Sequence, residues 1–424
     1  MKPWYGYSQE KLENEKIPIV SAKNEFLFDE NGKKYLDLIS SWWTNIHGHC
    51  NEEISQVISE QSRKLDHIMF TDFVHEPAEK LVEKLNKITN NDFAKCFFSD
   101  NGSTSAEVAL KIAHQHWKNL GFERKNKIIA FDKGYHGDTF GAMSIGKSSG
   151  FFKHFEDILL QNVIFSKYPS TWIDDKNLEE KNLNAIKTFE HIINENLDEI
   201  SCIIIEPLIQ GASGMRFSSV EFLEKIVNIA KKADIIVIFD EVMTGFGRTG
   251  KMFAYQNTSI VPDIICLSKG LTGGILPLGA TCVCDRIYQS FYSNSMKTAL
   301  LHAHSYMANP ISCAVANKSI ELFDKYQSLK CVNAIENIYY EIYNEMKNID
   351  SIEHFRIMGD IFAFEIKTDE NKYGSNFSRE IRQKCLANSI NIRPLGNVIY
   401  AIPPYCIDLM ELKKSFEIIK KILN

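Results

Sequence analysis

A mostly parallel α/β sheet joined to a smaller α+β domain is the fold class these 424 residues predict. Three observations carry it. Apolar runs at Cys202–Ile205, Ile235–Phe239 and Ile264–Leu267 are rich in β-branched residues, and each ends on a polar residue: Glu206, Asp240, or Ser268 with Lys269. Runs of that length and composition read as strands buried on both faces. Between about 95 and 284 such runs alternate with helical patterns, which implies right-handed crossovers and parallel pairing. From about 325 onward the pattern changes to helices interspersed with half-buried strands.

Taken in order, Phe26–Phe28, Asp29-Glu30-Asn31-Gly32 and Lys34–Leu38 read as strand, turn and strand. Trp42 and Trp43 follow among small and polar residues. In an extended segment adjacent side chains point oppositely, so one Trp belongs to the core and one to an interface, or both wall a substrate pocket. Helices are expected within Asn51–Asn86, then a strand at Lys95–Ser99. Asp100-Asn101-Gly102-Ser103-Thr104-Ser105 leads from it into a helix with Ala106, Ala109, Leu110, Ala113 and Trp117 on one face. Small residues between a strand and a helix N-terminus suit an anion, and they equally suit an ordinary cap by Ser103 or Thr104.

Ile128–Phe131 reads as a strand ending at Tyr135-His136-Gly137-Asp138, where an aromatic beside glycine suits a flat ring. Residues 150–200 read as charged and helical, and Phe222–Lys232 as a helix. A Gly-rich loop with Arg248 follows Asp240, and a strand at Ala280–Cys284 follows Lys269. Pro310 opens a helix towards Phe323. Further elements are expected at Ala334–Lys347, Ile361–Ile366, Ser378–Ala387, Ile390–Leu395, Val398–Ile402 and Leu409–Leu423. The expected division is 1–47, an entry segment joining the small domain; 48–325, the large domain; and 326–424, the small domain.

A formal net charge of −6 argues against a nucleic-acid surface. Ten cysteines without a CxxC pair read as reduced, buried thiols, with no metal site expected. The first residues lack an apolar signal core and no run reaches about 18 apolar residues, so a soluble, cytoplasmic protein is expected.

Ligands in open α/β sheets bind outside the carboxyl ends of the strands, so Glu206, Asp240 and Lys269 should meet at one edge. A lysine amine can join the aldehyde of pyridoxal phosphate while a carboxylate keeps the pyridine nitrogen protonated. An isolated Asp or Lys after an apolar run would more simply cap a strand or helix.

With Ser41-Trp42-Trp43, Asp100–Ser103, Tyr135–Asp138, Glu206-Pro207, Asp240-Glu241, Thr244–Gly250, Ser268–Gly274, His302–Tyr306 and Arg393-Pro394 side by side, the chain resembles the class III (ω-) aminotransferases nearly end to end. That resemblance implies fold type I with a sheet of the seven-stranded type, pyridoxal 5′-phosphate as cofactor, and a homodimer with shared sites. It implies Lys269 as the cofactor-linked lysine and proton carrier, Asp240 at the pyridine nitrogen, and Tyr135 stacked on the ring. Asn101, Gly102 and Ser103 would hold the phosphate, and Ser305 the phosphate of the neighbouring subunit. Trp42, Trp43, Ala303 and Arg393 would contact substrate, the arginine through a carboxylate, and the N-terminal aromatic of the pocket would be Trp4, Tyr5 or Tyr7. Alternatives within the resemblance are an enzyme for ornithine, 4-aminobutyrate or a polyamine, or an aminomutase. A different class is a pyridoxal-phosphate-binding regulator without turnover.

Overall fold

The computed structural model describes residues 1–12 and 16–423. Its central element is a seven-stranded sheet in the order Lys95–Ser99, Gly279–Val283, Ile264–Leu267, Ile236–Asp240, Ile200–Ile205, Lys127–Phe131, Val163–Ser166. The last five pair in parallel. Gly279–Val283 runs antiparallel to both of its neighbours.

Period-two alternation assigns each run's side chains to two faces. Cys202, Ile204, Ile236, Ile238, Ile264 and Cys266 pack against Val108, Ala109, Ile112, Ala113 and Trp117 of the helix Gly102–Asn119. Ile203, Ile205, Val237, Phe239, Ile265 and Leu267 pack on the opposite face with Phe222, Leu223, Ile226, Val227 and Ala230 of the helix Val220–Lys232. Both faces are covered, which is why the runs are apolar throughout.

Two smaller sheets flank the carboxyl edge. Ile19–Lys23, Phe26–Asp29 and Lys34–Asp37 form a meander completed by Ile390–Asn391, parallel to Lys34–Asp37. Ile352–Met358, Ile361–Ile366 and Val398–Ala401 form an antiparallel sheet with its own core, which includes Phe355, Phe362, Phe364 and Tyr339.

Several sequence expectations need correction. The stretch 150–200 contains the edge strand Val163–Ser166 before its helix Leu178–Asn196. Ile19–Lys23 and Ile352–Met358 were also missed as strands; each has polar or charged residues inside it, which weakens the alternation signal. The Trp pair lies in a single tight turn, Ser40–Trp43, rather than an extended segment, with positive φ at Ser40, Ser41 and Trp43. The buried Asp37 carboxylate holds that turn: it accepts from the Ser41 N–H at 2.7 Å and the Asn391 amide at 3.0 Å, and meets His49 Nε2 at 2.9 Å.

Arg248 ties the large sheet to the small antiparallel sheet. Its buried guanidinium pairs with Asp360 and donates to the carbonyls of Pro403 at 2.9 Å and Trp43 at 3.2 Å. The Asp360 N–H donates back to the Arg248 carbonyl at 3.1 Å. Asp360→Ala should therefore strand a buried cation and lower the unfolding free energy by about 3–5 kcal/mol. Urea denaturation checks this; a loss below about 1 kcal/mol would show that solvent reaches the guanidinium.

Candidate active site

One cavity of about 650 Å³ opens at the carboxyl edge of the large sheet. Among its lining residues are Trp42, Trp43, Asn101, Gly102, Ser103, Tyr135, Asp240, Lys269 and Arg393. Of the sequence-predicted site residues, Ala303 and Ser305 are not brought there; both are exposed on the segment between the short helix Met296–Thr298 and the helix Pro310–Lys325.

Lys269 leaves the strand Ile264–Leu267 through Ser268 and adopts a positive φ of 45°. Its Nζ lies 4.9 Å from the Trp43 ring centroid. Removal from water disfavours the ammonium, and Arg248 adds to that; Asp240 and Glu206 oppose it, and the amine settles at about 8. Gly274 allows this loop to press on the Trp turn, because a Cβ there would sit 2.5 Å from the Thr44 carbonyl carbon.

Asp240 ends the strand Ile236–Asp240 and is fixed by two donors: the Val242 N–H at 3.0 Å and His136 Nδ1 at 2.7 Å. Burial works to lower the His136 imidazole, but the Asp240 carboxylate outweighs it and holds the imidazole above its ordinary value. Beneath them Glu206 accepts from the N–H groups of Tyr135 and Gly211, each at 2.9 Å. Burial nevertheless pushes its carboxyl up to about 7.

The helix Gly102–Asn119 points its N-terminus into the same cavity. Its cap is Asn101, not Ser103 or Thr104: Asn101 Oδ1 accepts from the Thr104 N–H at 3.0 Å, and Thr104 Oγ1 accepts from the Asn101 N–H at 3.0 Å. The first intrahelical bond is made by Ser105 to Asn101. The Gly102 and Ser103 N–H groups therefore precede the ladder and suit an anion. Asn101 Oδ1 is committed to the cap, which fixes the loop, and leaves the Nδ2 amide as the side-chain group that could donate to an anion. Gly137, at φ +122°, lets the Tyr135–Asp138 loop close on this terminus, where a Cβ would overlap the Ser103 side chain.

Tyr135 stacks on Phe152, with centroids 6.0 Å apart and planes at 22°. Its hydroxyl donates to Asp138 Oδ1 at 3.1 Å, and the Tyr7 hydroxyl donates to the same oxygen at 2.8 Å. Burial, reinforced by Asp138, drives both phenols up, so both stay protonated donors. Trp43 is buried and donates from Nε1 to the Tyr400 hydroxyl at 3.1 Å, whereas Trp42 is exposed beside Arg393, whose guanidinium carbon is 5.1 Å from the Trp42 centroid.

Tyr7 is the N-terminal aromatic that lines the cavity. Phe151, Tyr373 and Tyr400 also line it, and sequence reasoning had not found them. Tyr373 sits on a polar loop with no periodic context, and only its proximity to the Arg393-Pro394 pair after folding reveals it.

A flat phosphorylated pyridine aldehyde fits these groups. An amine of lowered pKa, an oriented carboxylate, a phenol ring and an uncommitted helix N-terminus share one cavity, from the ends of different strands. That agrees with a profile of the family Aminotransferase class-III, which matches residues 7–423. A Synechococcus elongatus protein named adenosylmethionine-8-amino-7-oxononanoate aminotransferase is 41% identical over 421 residues, covering 99% of this chain and 98% of that one. A Staphylococcus aureus protein of the same name is 38% identical over 99% of this chain and 95% of its own length. A crystal structure under that name from Methanocaldococcus jannaschii superposes with a TM-score of 0.89 at 30% identity, covering 99% of this chain and 96% of that one. Chemistry of the cleft, profile and full-length relatives converge: the chain belongs to the class-III aminotransferases.

Proposed function

We propose that this enzyme moves an amino group from S-adenosylmethionine to 8-amino-7-oxononanoate, giving 7,8-diaminononanoate for biotin biosynthesis. Its full-length relatives carry the name of that activity. The observation that carries the reading is the composition of one cavity: the Lys269 amine, the Asp138 carboxylate and the Arg393 guanidinium share it with Trp42, Trp43 and Phe151. A carboxylate and indole faces suit a sulfonium donor. A guanidinium fork beside apolar rings suits a long-chain acceptor that ends in a carboxylate.

The family's cofactor is pyridoxal phosphate. It supplies an aldehyde that takes up the amino group and a conjugated ring that draws electron density from the substrate carbon. Asp240, held by His136 and Val242, would keep a ring nitrogen protonated. Tyr135 would pack against the ring. Gly102 and Ser103 would hold the phosphate through their N–H groups, with the Ser103 hydroxyl beside them, and Asn101 would brace that loop. Lys269 Nζ would hold the cofactor through its aldehyde and, as a neutral amine, would take a proton from the substrate carbon and return it. Its lowered pKa keeps a share of the amine neutral near pH 8.

A second copy of the chain completes the site. Met69, Phe73 and Val74 are exposed, as are Leu301 and Tyr306. The two segments meet: the Tyr306 ring lies 5.5 Å from His67, and the Asn309 amide donates to the Asp66 carbonyl at 3.2 Å. An apolar surface of this kind calls for a partner. A homodimer covers it, with Ser305 reaching the partner's phosphate site and Ala303 the partner's substrate pocket. Among the described residues no helix is long and apolar enough to cross a membrane. We place the enzyme in the cytoplasm, with its small-molecule substrates.

Purified protein should form diaminononanoate from 8-amino-7-oxononanoate with S-adenosylmethionine; formation only with lysine would change the donor, and reaction of 4-aminobutyrate or ornithine with 2-oxoglutarate instead would replace the reading. Apo-protein mixed with pyridoxal phosphate should acquire the visible absorbance of an amine-linked cofactor at a rate that rises about tenfold per pH unit and levels above about pH 8, because only neutral Lys269 attacks. A rise that continues past pH 10 would mean an unperturbed lysine, and Lys269→Ala should show no such band. Sedimentation should give a dimer, and Ser305→Ala should weaken cofactor retention; a monomer with full activity would remove the shared site.

A further inference from the structure

Among the described residues the partners of Arg393 are all neutral. Nε and Nη2, the edge that grips two oxygens of a carboxylate, both donate to the Tyr373 hydroxyl, at 3.0 and 2.6 Å. Nη2 also donates to the Tyr7 carbonyl at 2.8 Å. Among the described residues no carboxylate forms an ion pair with Arg393. One phenol oxygen thus occupies the place of an anion.

Tyr373 is carried in a manner that allows it to leave. It lies on the loop between the strand Ile361–Ile366 and the helix Asn376–Ala387. Its ring meets Phe151 and Tyr7 only edge-on, at 5.6 Å and 78° and at 6.3 Å and 88°. None of these contacts needs the hydroxyl.

We propose that Tyr373 tunes specificity: its hydroxyl occupies the Arg393 fork in the free enzyme and must yield it to a substrate carboxylate, a cost that ligands without a carboxylate do not bear, so the hydroxyl tempers the preference for carboxylates. A carboxylate brings a full negative charge and two acceptor oxygens to a fork that the phenol meets with one neutral oxygen, so a carboxylate displaces the phenol. A ligand without a carboxylate has nothing to offer the fork, so the phenol stays on Arg393 and its hydroxyl neither helps nor hinders that ligand. Part of each carboxylate's binding energy goes into the displacement, and the free enzyme in return never presents an unpaired cation to the aromatic cleft. The proposal rests on the reading of Arg393 as the carboxylate anchor and adds a residue that competes with the ligand rather than touching the reacting atoms.

The test compares 7,8-diaminononanoate with 2,3-diaminooctane, the same molecule without its carboxylate, by single-turnover absorbance of the holoenzyme. Tyr373→Phe, which keeps the ring and its packing, should lower the half-saturating concentration of diaminononanoate about three- to tenfold and leave that of diaminooctane unchanged. In an Arg393→Ala background the same change should alter neither. A loosened loop would shift both diamines together, and a phenol that helps bind the carboxylate would raise the diaminononanoate value; either result, or no change, overturns the proposal. If Arg393→Ala alone leaves the ratio of the two diamines untouched, the anchor assignment fails and the proposal falls with it.

Discussion

The Trp43 wall of the cleft hangs on a guanidinium removed from water. Arg248 lies between the loop after Asp240 and the hairpin at Asp360, and it also holds the carbonyl of Trp43 and that of Pro403. Tyr405 packs 5.1 Å from its guanidinium carbon and donates to the Phe246 carbonyl at 2.7 Å. A planar cation with five donors is costly to bury unless its neighbours are arranged around it. That demand ties the loop after Asp240, the Trp43 turn and the hairpin at Asp360 into one unit. The sequence motif around this arginine is therefore architectural in its hydrogen bonds, while its charge also disfavours the Lys269 ammonium.

Burial does a second job within the cavity. Lys269, Glu206 and Asp240 are close enough for each to influence the others, in a region from which water is largely excluded. There the same loss of hydration that raises the Glu206 carboxyl lowers the Lys269 ammonium. His136 gives Asp240 a partner that strengthens its grip on an orientation rather than its exposure. Charges in such a place act over short distances with little screening, and proton transfer there needs small shifts of position only.

The sheet and its ligand edge could be read from the chain because strands buried on both faces leave uninterrupted apolar runs. Ile200–Ile205, Ile236–Asp240 and Ile264–Leu267 stand within two residues of where composition placed them. Strands with charged residues inside them, such as Ile352–Met358, gave no comparable signal. Within the cavity, Lys269 and Asp240 were legible because each follows a strand at a fixed place in the pattern. Phe151 and Tyr373 were not, because nothing local marks them, and Tyr7 was one of three N-terminal candidates that only the folded arm separates. The cap at Asn101 was misplaced by two or three residues, since Ser, Thr and Asn all satisfy the same local rule.

The turn at Ser40–Trp43 separates two neighbours that a linear reading cannot tell apart. Trp43 is locked into the interior through Tyr400, and its loss would be felt throughout the packing. Trp42, one bond further back, projects outward on a backbone held by Asp37, so its indole can be exchanged without disturbing what lies below. Adjacent codons thus carry separate liberties: drift at one reshapes the guest list of the cleft, while the other is bound to the integrity of the fold.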